Sequence, residues 1–379
     1  VTLPVQNMFL CHTNLVKTNI LTLNKCGEAI FSRAEMLEID GSQKSGSGTI
    51  LRLSIALAGI LGEPLHIYNI RHRRRQPGLR PQHLESVNTA AKLCNAETEG
   101  AKLGSCELWF KPSDIISGKV RAEIGTAGSI SMLLLTVLPI CVYAKGDVSV
   151  HVVNGGTDVR YAPTINYLKY VLLPTLERMG LKASLTVKTF GYYPKGMGEV
   201  VLNVSNGSKL SALSIKEFGR IEEIGGVSVC TFLEKQRVAE RQAEAATNVL
   251  RNHGYDAKIR VVNDRSNPLQ KGSSIVLWAK TSKGALIGGD AIGELRKSSE
   301  AVGREAAENL LKEIEAHATV DNHLADMLVP YVALANGAST YITRKITDHL
   351  DTNIWLVEKI LGIKIHVTKV GNIYRIEKN

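Results

Sequence analysis

The 379-residue chain is 44% hydrophobic and 22% charged, the profile of an ordinary soluble globular protein with room for about two domains. Its 46 Lys+Arg against 36 Asp+Glu leave a formal charge of +10, which favours an anionic partner: nucleic acid, phosphorylated metabolites or an anionic membrane surface. No apolar run is long enough to span a bilayer, and six scattered cysteines without a C-x-x-C pair argue against a zinc site or a disulfide framework and suit a reducing cytoplasm.

Residues 1–35 carry two acids, Glu28 and Glu35, and lack the basic-then-apolar layout of a secretory signal. The alternating stretch "MLEIDGS" opens at Met36, so the fold is expected to begin there, with residues 1–35 as an upstream extension. A glycine-rich turn, "DGSQKSGSGTILR" (40–52), then leads into an apolar helical run. Next, "LRLSIALAGILGEPLHIYNI" (51–70) switches from helical to period-two apolar spacing across Gly62, the pattern of a helix, its C-terminal glycine and a strand. The pattern returns in "LLPTLERMGLKASLTV" (172–187), "AATNVLRNHGYDAKIRVV" (245–262) and "NIWLVEKILGIKIHV" (353–367). Repeated helix–strand units predict several α/β subdomains with helix-covered sheets, and their uneven spacing excludes a solenoid.

Between the first two copies lies "IRHRRRQPGLRPQHL" (70–84), five arginines and two histidines around Pro77-Gly78 and Pro81. A charge run is ordinarily a solvated face, but prolines that fix their own φ and extend their predecessors predict a shaped loop. Met132–Ala144 reads as a buried helix. Residues 212–316 are highly charged and predict a compact inserted α/β domain, with "EKQRVAERQAEAATNVLRNHG" and "ELRKSSEAVGREAAENLLKEIEAHA" as exposed helices bracketing the strand runs "AKIRVV" and "SSIVLWAK". The large domain is then discontinuous, 36–211 plus 317–379.

Further glycine clusters occur at "EIGTAGS" (123–129), "NGGTD" (154–158) and "GYYPKGMGEV" (191–200). A glycine-rich turn before a helix aims N–H groups and the positive end of the dipole at an anion, although glycine also marks any turn or bulge. No G-x-x-x-x-G-K-[ST] is present, which excludes a P-loop nucleotide site. His66, His253 and His366 read as structural. His349 differs: in "TDHLDTNIWL" it opens an apolar helix that Thr347 and Asp348 can cap, and the helix dipole favours the neutral imidazole a nucleophile needs.

Taken in order, the motifs IDGSxxxGxGxILR, PGLRPQHL, IGTAGS, GGTD, GYYPKGxGEV, HLAD and HLxTNI resemble those of RNA 3′-terminal phosphate cyclases, from Met36 to the end of the chain. The resemblance implies a large domain of three repeats, each a four-stranded sheet backed by two helices, and a smaller α/β insert. It implies a ligase-type enzyme that performs nucleotidyl transfer with ATP and Mg²⁺ or Mn²⁺. A histidine attacks the ATP α-phosphate, giving histidine–AMP and pyrophosphate; AMP passes to an RNA 3′-phosphate; the neighbouring 2′-OH then displaces AMP and leaves a 2′,3′-cyclic phosphate. His349 matches the nucleophile. Arg52, Arg71, Arg74, Gln82 and His83 match the groups that hold the ATP and RNA phosphates, chemistry that forked guanidinium donors suit. Pro163 and His323 match the adenine sandwich and Asp326 a residue beside the nucleotide, while Arg73 and Arg75 extend the basic surface.

The sequence departs from the family at several of these positions. Ser45 stands where a metal-organising Glu is usual, Ser47 replaces Gly and Thr49 replaces Gln. Leu135 and Met327 occupy positions where a nucleotide-contacting Gln is common, and Met197 interrupts a glycine triplet. A lost carboxylate ligand weakens Mg²⁺ placement. The departures leave open an alternative: a weak or inactive cyclase-like RNA-binding factor in ribosome assembly or RNA processing. A small-molecule transferase of enolpyruvyl-transferase architecture is a third reading, disfavoured by HLxTNI and PGLRPQHL. The expected partners are ATP and RNA with a 3′-phosphate, with no membrane, in the cytoplasm.

Overall fold

The computed structural model describes residues 36–207 and 209–379, together with a short antiparallel pairing of β1 (Thr22–Leu23) with β2 (Ala29–Ile30). The expected extension over 1–35 otherwise lies outside the described residues.

Strand β3 (Leu37–Asp40) alternates as its sequence requires and runs parallel to β4 (Leu65–Tyr68), with Leu37 opposite Leu65. A parallel pair needs a crossover, and α1 (Gly48–Leu61) supplies it. Gly62 ends that helix at φ 71°, the left-handed position that favours glycine. Helix α2 (Pro81–Leu93) starts on Pro81, whose missing N–H costs nothing in a first turn. Strands β5 (Glu97–Glu99) and β6 (Leu108–Lys111) complete a sheet of order β3-β4-β6-β5.

The next stretch repeats this order. Strand β7 (Gly118–Glu123) is parallel to β8 (Val148–Gly155) across the buried helix α3 (Ile130–Cys141). A helical segment follows, made of α4 (Ile165–Tyr167), a π turn over Leu168–Leu172 and α5 (Leu173–Arg178). Strands β9 (Ala183–Thr189) and β10 (Gly198–Val204) give the sheet β7-β8-β10-β9.

Residues 221–315 form a different arrangement. Here β11 (Ile221–Thr231), α6 (Val238–Asn252), β12 (Lys258–Asp264), β13 (Gly272–Thr281), β14 (Leu286–Ile292) and α7 (Ser299–Glu315) build the sheet β12-β11-β13-β14, with α6 and α7 packed on it and on each other. Both charged helices bury one stripe, which in α6 is Ala239, Gln242, Ala243, Ala246 and Leu250. The last elements are α8 (Asn322–Leu334), β15 (Ser339–Thr343), α9 (Asp348–Leu361), β16 (Ile365–Val370) and β17 (Ile373–Lys378), in the order β15-β17-β16. Upstream, Ser211 and Ser214 make isolated parallel bridges to Asn336 and Thr340.

The protein is therefore mixed α/β, with four sheets of three or four strands and helices packed on them among the described residues. No described helix is long and apolar enough to cross a membrane. Helix α1, buried along most of its length, packs against α2, α3 and α9. This central position brings its first turn against the first turn of α9.

Candidate active site

The site starts from a helix cap. Thr347 ends an extended approach and its hydroxyl accepts the Leu350 N–H at 2.9 Å, opening α9. The same hydroxyl donates to Asp326 Oδ1 at 2.6 Å, and Asn353 Nδ2 donates to the Asp326 carbonyl at 2.8 Å. Helix α9 is thus locked to α8 at the turn that carries His349. Burial pushes the Asp326 carboxyl up to about 7, with the Thr347 hydrogen bond opposing.

Helix α1 presents its first turn to the same point. Ser47 caps it, with Oγ accepting the Thr49 N–H. Thr49 Oγ1 lies 3.1 Å from His349 Nδ1 and also accepts from Arg52 Nη2 at 3.1 Å. The glycine-rich turn before α1 is tied to α9 twice more: Ser45 N–H to Thr352 Oγ1 at 3.2 Å, and Lys44 to Asp351 at 3.0 Å. Two helix N-termini, each carrying a positive dipole end, therefore converge on one histidine.

That histidine is held neutral. Burial lowers the His349 pKa, Arg52 and Arg74 lower it further, and Asp348 only partly opposes them. Arg52 itself is pushed down to about 10 by burial and by the neighbouring charges of Arg71 and Arg74. His83 is pushed to about 2 by burial, then by Arg52, Arg71 and Arg80. Among the described residues no carboxylate pairs with Arg52, Arg71, Arg74 or Arg80. Guanidinium groups whose charges lower the pKa of buried Arg52 and of Arg71, with no described carboxylate paired to them, are suited to an anion.

The basic loop is shaped, as its prolines predict. Arg71, at φ 56°, donates from Nη1 to the carbonyls of Gln76 and Gly78 at 2.8 and 2.7 Å, so part of its fork braces the loop. Arg73, expected only to extend the basic surface, donates to the Lys44 carbonyl at 2.7 Å and packs on Gly46, clipping the loop to the glycine-rich turn. Gln82 Oε1 accepts the Ser129 N–H at 2.7 Å, holding the residue that caps α3. His83 is 5% exposed, its Nδ1 buried without a partner and its Nε2 against Gly48, where a Cβ would collide with the ring.

A cavity of about 380 Å³ lies between α1, α3, α8 and α9. Five of the residues singled out from sequence line it: Arg52, Pro163, His323, Asp326 and His349. The other four, Arg71, Arg74, Gln82 and His83, do not line it; Arg71 and Arg74 stand close enough to Arg52 or His349 for their charges to couple, and neutral His83 lies within reach of the Arg52 charge. Leu135 and Met327 also line the cavity, so both positions where the resemblance leads one to expect glutamine fall on its wall.

Sequence reading passed over Tyr161, Tyr331 and Asn353 as lining residues and treated Thr49 only as a departure. Asn353 had a signal, since it sits four residues after His349 on one helix face. The cavity's chemistry divides in two. Its α3 side and the Met327, Pro330 and Tyr331 part of α8 are apolar and suit a planar ring, whereas His323 and Asp326 of α8 are polar and the α1 and α9 side, which carries Arg52, is polar and suits phosphates.

The residues do not fit a resident metal. Among the described residues no group of three or more His, Cys, Asp or Glu could hold an ion, Ser45 Oγ is bonded to Ser47 Oγ at 2.9 Å, and Asp351 is paired with Lys44.

Comparison with known proteins points to one family. A curated RNA 3′-terminal phosphate cyclase from Pyrobaculum neutrophilum is 46% identical over 341 residues, 90% of this chain and 97% of that one. Those of Methanopyrus kandleri and Methanosarcina mazei are 40% and 41% identical over 88% and 90% of this chain, and over 95% and 99% of theirs. A solved EPSP synthase from Acinetobacter baumannii, 13% identical with a TM-score of 0.27 over 90% of this chain and 64% of its own, carries no argument. Residues 43–367, which include most of the glycine-rich turn, the basic loop, the cavity and His349, match the RNA 3′-terminal phosphate cyclase family, and the chain belongs to it.

Proposed function

We propose that the protein converts an RNA 3′-terminal phosphate to a 2′,3′-cyclic phosphate at the expense of ATP, through a covalent adduct of AMP on His349. One observation carries this reading: a neutral histidine opens a helix at the edge of a nucleotide-sized cavity, beside a guanidinium cluster without a counter-charge. Nδ1 faces Thr49, so Nε2 is the attacking atom. Its lone pair forms the N–P bond to the α-phosphorus, and the bond to the bridging oxygen breaks with its electron pair leaving on pyrophosphate. A 3′-phosphate oxygen then attacks the same phosphorus and returns the electron pair to nitrogen. In the last step the 2′-oxygen attacks the 3′-phosphorus, its proton goes to solvent, and AMP leaves.

Arg52, with Arg71 and Arg74 beside it, serves the three transfers by offsetting charge on the equatorial oxygens. His83, neutral, contributes a hydrogen bond rather than a charge. Pro163 and His323 flank the base, with Asp326 at its side. The divalent cation is read as part of the metal–nucleotide substrate.

On the same reading the chain is organised as three β-α-β-α-β-β repeats, with residues 212–316 inserted in the third. The shared strand orders β3-β4-β6-β5 and β7-β8-β10-β9, and the bridge from Ser211 to Asn336, support it, whereas the bridge from Ser214 to Thr340 favours an insert that starts after Ser214 rather than at 212.

Incubating the protein with ATP and a 3′-phosphorylated oligoribonucleotide tests the proposal. A phosphatase-resistant end that mild acid reopens, formed with one AMP and one pyrophosphate per RNA, is expected. The apolar replacements Leu135 and Met327 on the cavity wall favour a second reading, an RNA-binding factor without turnover. RNA binding with no ATP consumption would select that alternative.

A further inference from the structure

Thr49 stands where glutamine is common in the family, yet it makes the contact that decides what His349 can do. Neutral imidazole carries one proton on two nitrogens. Only the nitrogen without it has a lone pair to attack with, and the hydrogen bond made by one nitrogen sets the state of the other. An imidazole side chain left to itself places that proton mainly on Nε2, the unreactive arrangement for attack by Nε2.

The contacts of Thr49 bear directly on this default. Arg52 has donors and no acceptors, so at 3.1 Å its Nη2 must donate to Thr49 Oγ1. The hydroxyl keeps a second lone pair and its own proton, and His349 Nδ1 lies 3.1 Å from it, so Oγ1 can accept Nδ1–H or donate to a bare Nδ1. Thr49 is buried in the first turn of α1, with its N–H held by Ser47, and its β-branched side chain has few rotamers to choose from. Thr347 and Asn353 fix the backbone of α9 from the other side through Asp326.

We infer that Thr49 is a positioning residue that holds His349 as the Nδ1–H tautomer. Its hydroxyl oxygen accepts from both Arg52 and Nδ1–H and leaves the Nε2 lone pair facing the nucleotide. Thr49 does not touch the reacting atoms. It acts through the histidine. The inference rests on the reading of His349 as nucleophile.

The test uses the full chain labelled with ¹⁵N-histidine. Two-bond ¹H–¹⁵N correlation spectra report the His349 tautomer, assigned by its absence in His349→Ala. The wild type is expected to show Nδ1–H, Thr49→Ser to retain it, and Thr49→Val, which keeps the shape and removes the hydroxyl, to shift towards Nε2–H. Single-turnover transfer of AMP to the protein should fall about tenfold or more in Thr49→Val, with the apparent affinity for ATP within about twofold, and should be largely restored in Thr49→Ser. Thermal unfolding checks that each variant is folded, and Thr49→Ala replaces Thr49→Val if valine does not fit. A Thr49→Val protein that keeps the Nδ1–H signal and transfers AMP within about twofold of wild type would overturn the inference. A wild type that takes up no AMP would sink the nucleophile reading instead, and the tautomer spectra would still decide whether Thr49 sets the ring.

Discussion

Replacing His83 with glutamine tests whether the basic cluster holds a buried neutral histidine. Burial and the charges of Arg52, Arg71 and Arg80 push the ring to about 2, while the unfolded chain returns it to about 6.5. For a histidine with a depressed native pKa, the unfolded state takes up a proton below 6.5 that the native state refuses. Stability is therefore full above that pH and is lost as pH falls through the window from 6.5 towards 2. Two units below the unfolded value, near pH 4.5, the loss reaches about 2.7 kcal/mol at about 1.36 kcal/mol per unit.

Urea unfolding of wild type and His83→Gln at about pH 7 and about pH 4.5 isolates this contribution, because the acid response of every other group cancels in the difference. The glutamine variant should be the less stable at neutral pH, where it loses packing, and should recover about 2–3 kcal/mol of that deficit at the lower pH. A gap that stays constant across the two conditions would show that His83 titrates normally and that the guanidinium groups are not pressed against it.

Gly48→Ala should destabilise the protein by about 1–3 kcal/mol despite alanine's better helix propensity, because the new Cβ meets the His83 ring and stands 3.0 Å from Arg52 Nη1; a raised melting temperature would contradict the packing described. Arg71→Lys and Arg74→Lys should each slow AMP transfer to the protein by about tenfold, since a point charge cannot replace a fork; rates within about twofold, or 0.4 kcal/mol of barrier, would make these arginines a solvated surface. Ser45→Glu should lower the Mg²⁺ concentration for half-maximal AMP transfer, because it returns a carboxylate to a turn that now offers hydroxyls; an unchanged titration would mean that this turn does not meet the metal–nucleotide.

Much of the local structure was legible because single residues dictate it. Gly62, Gly180, Gly254 and Gly362 all have positive φ between a helical and an extended stretch, where the hydrophobic period changes. Thr347 caps α9 as its place before an apolar helical run requires. Strands β11 and β14 were harder to read, since paired glycines (Gly225-Gly226 and Gly288-Gly289) interrupt their apolar alternation. The π turn at Leu168–Leu172 leaves no mark in a helical pattern.

In the site, the resemblance supplied residue identities but not their partners. The fork of Arg71 is partly spent on Gln76 and Gly78, Gln82 is turned to Ser129, and Arg73 clips two loops together. Each of these contacts joins segments whose proximity is set by packing, so local sequence carries no trace of it. Thr49 illustrates the limit: 300 positions separate it from His349, and only the packing of α1 against α9 brings them within 3.1 Å.

The central claim, that His349 carries AMP between ATP and RNA, is tested most directly by ATP labelled at the α-phosphate. Incubated with protein and Mg²⁺ or Mn²⁺, it should leave label on His349 as an acid-labile, alkali-stable phosphoramidate that maps by mass spectrometry to the Thr347–Asn353 turn. The isolated adduct, chased with 3′-phosphorylated RNA, should discharge as free AMP with an equal amount of cyclic ends. Label that persists in His349→Ala, or a protein that stays unlabelled with either metal, would contradict the account.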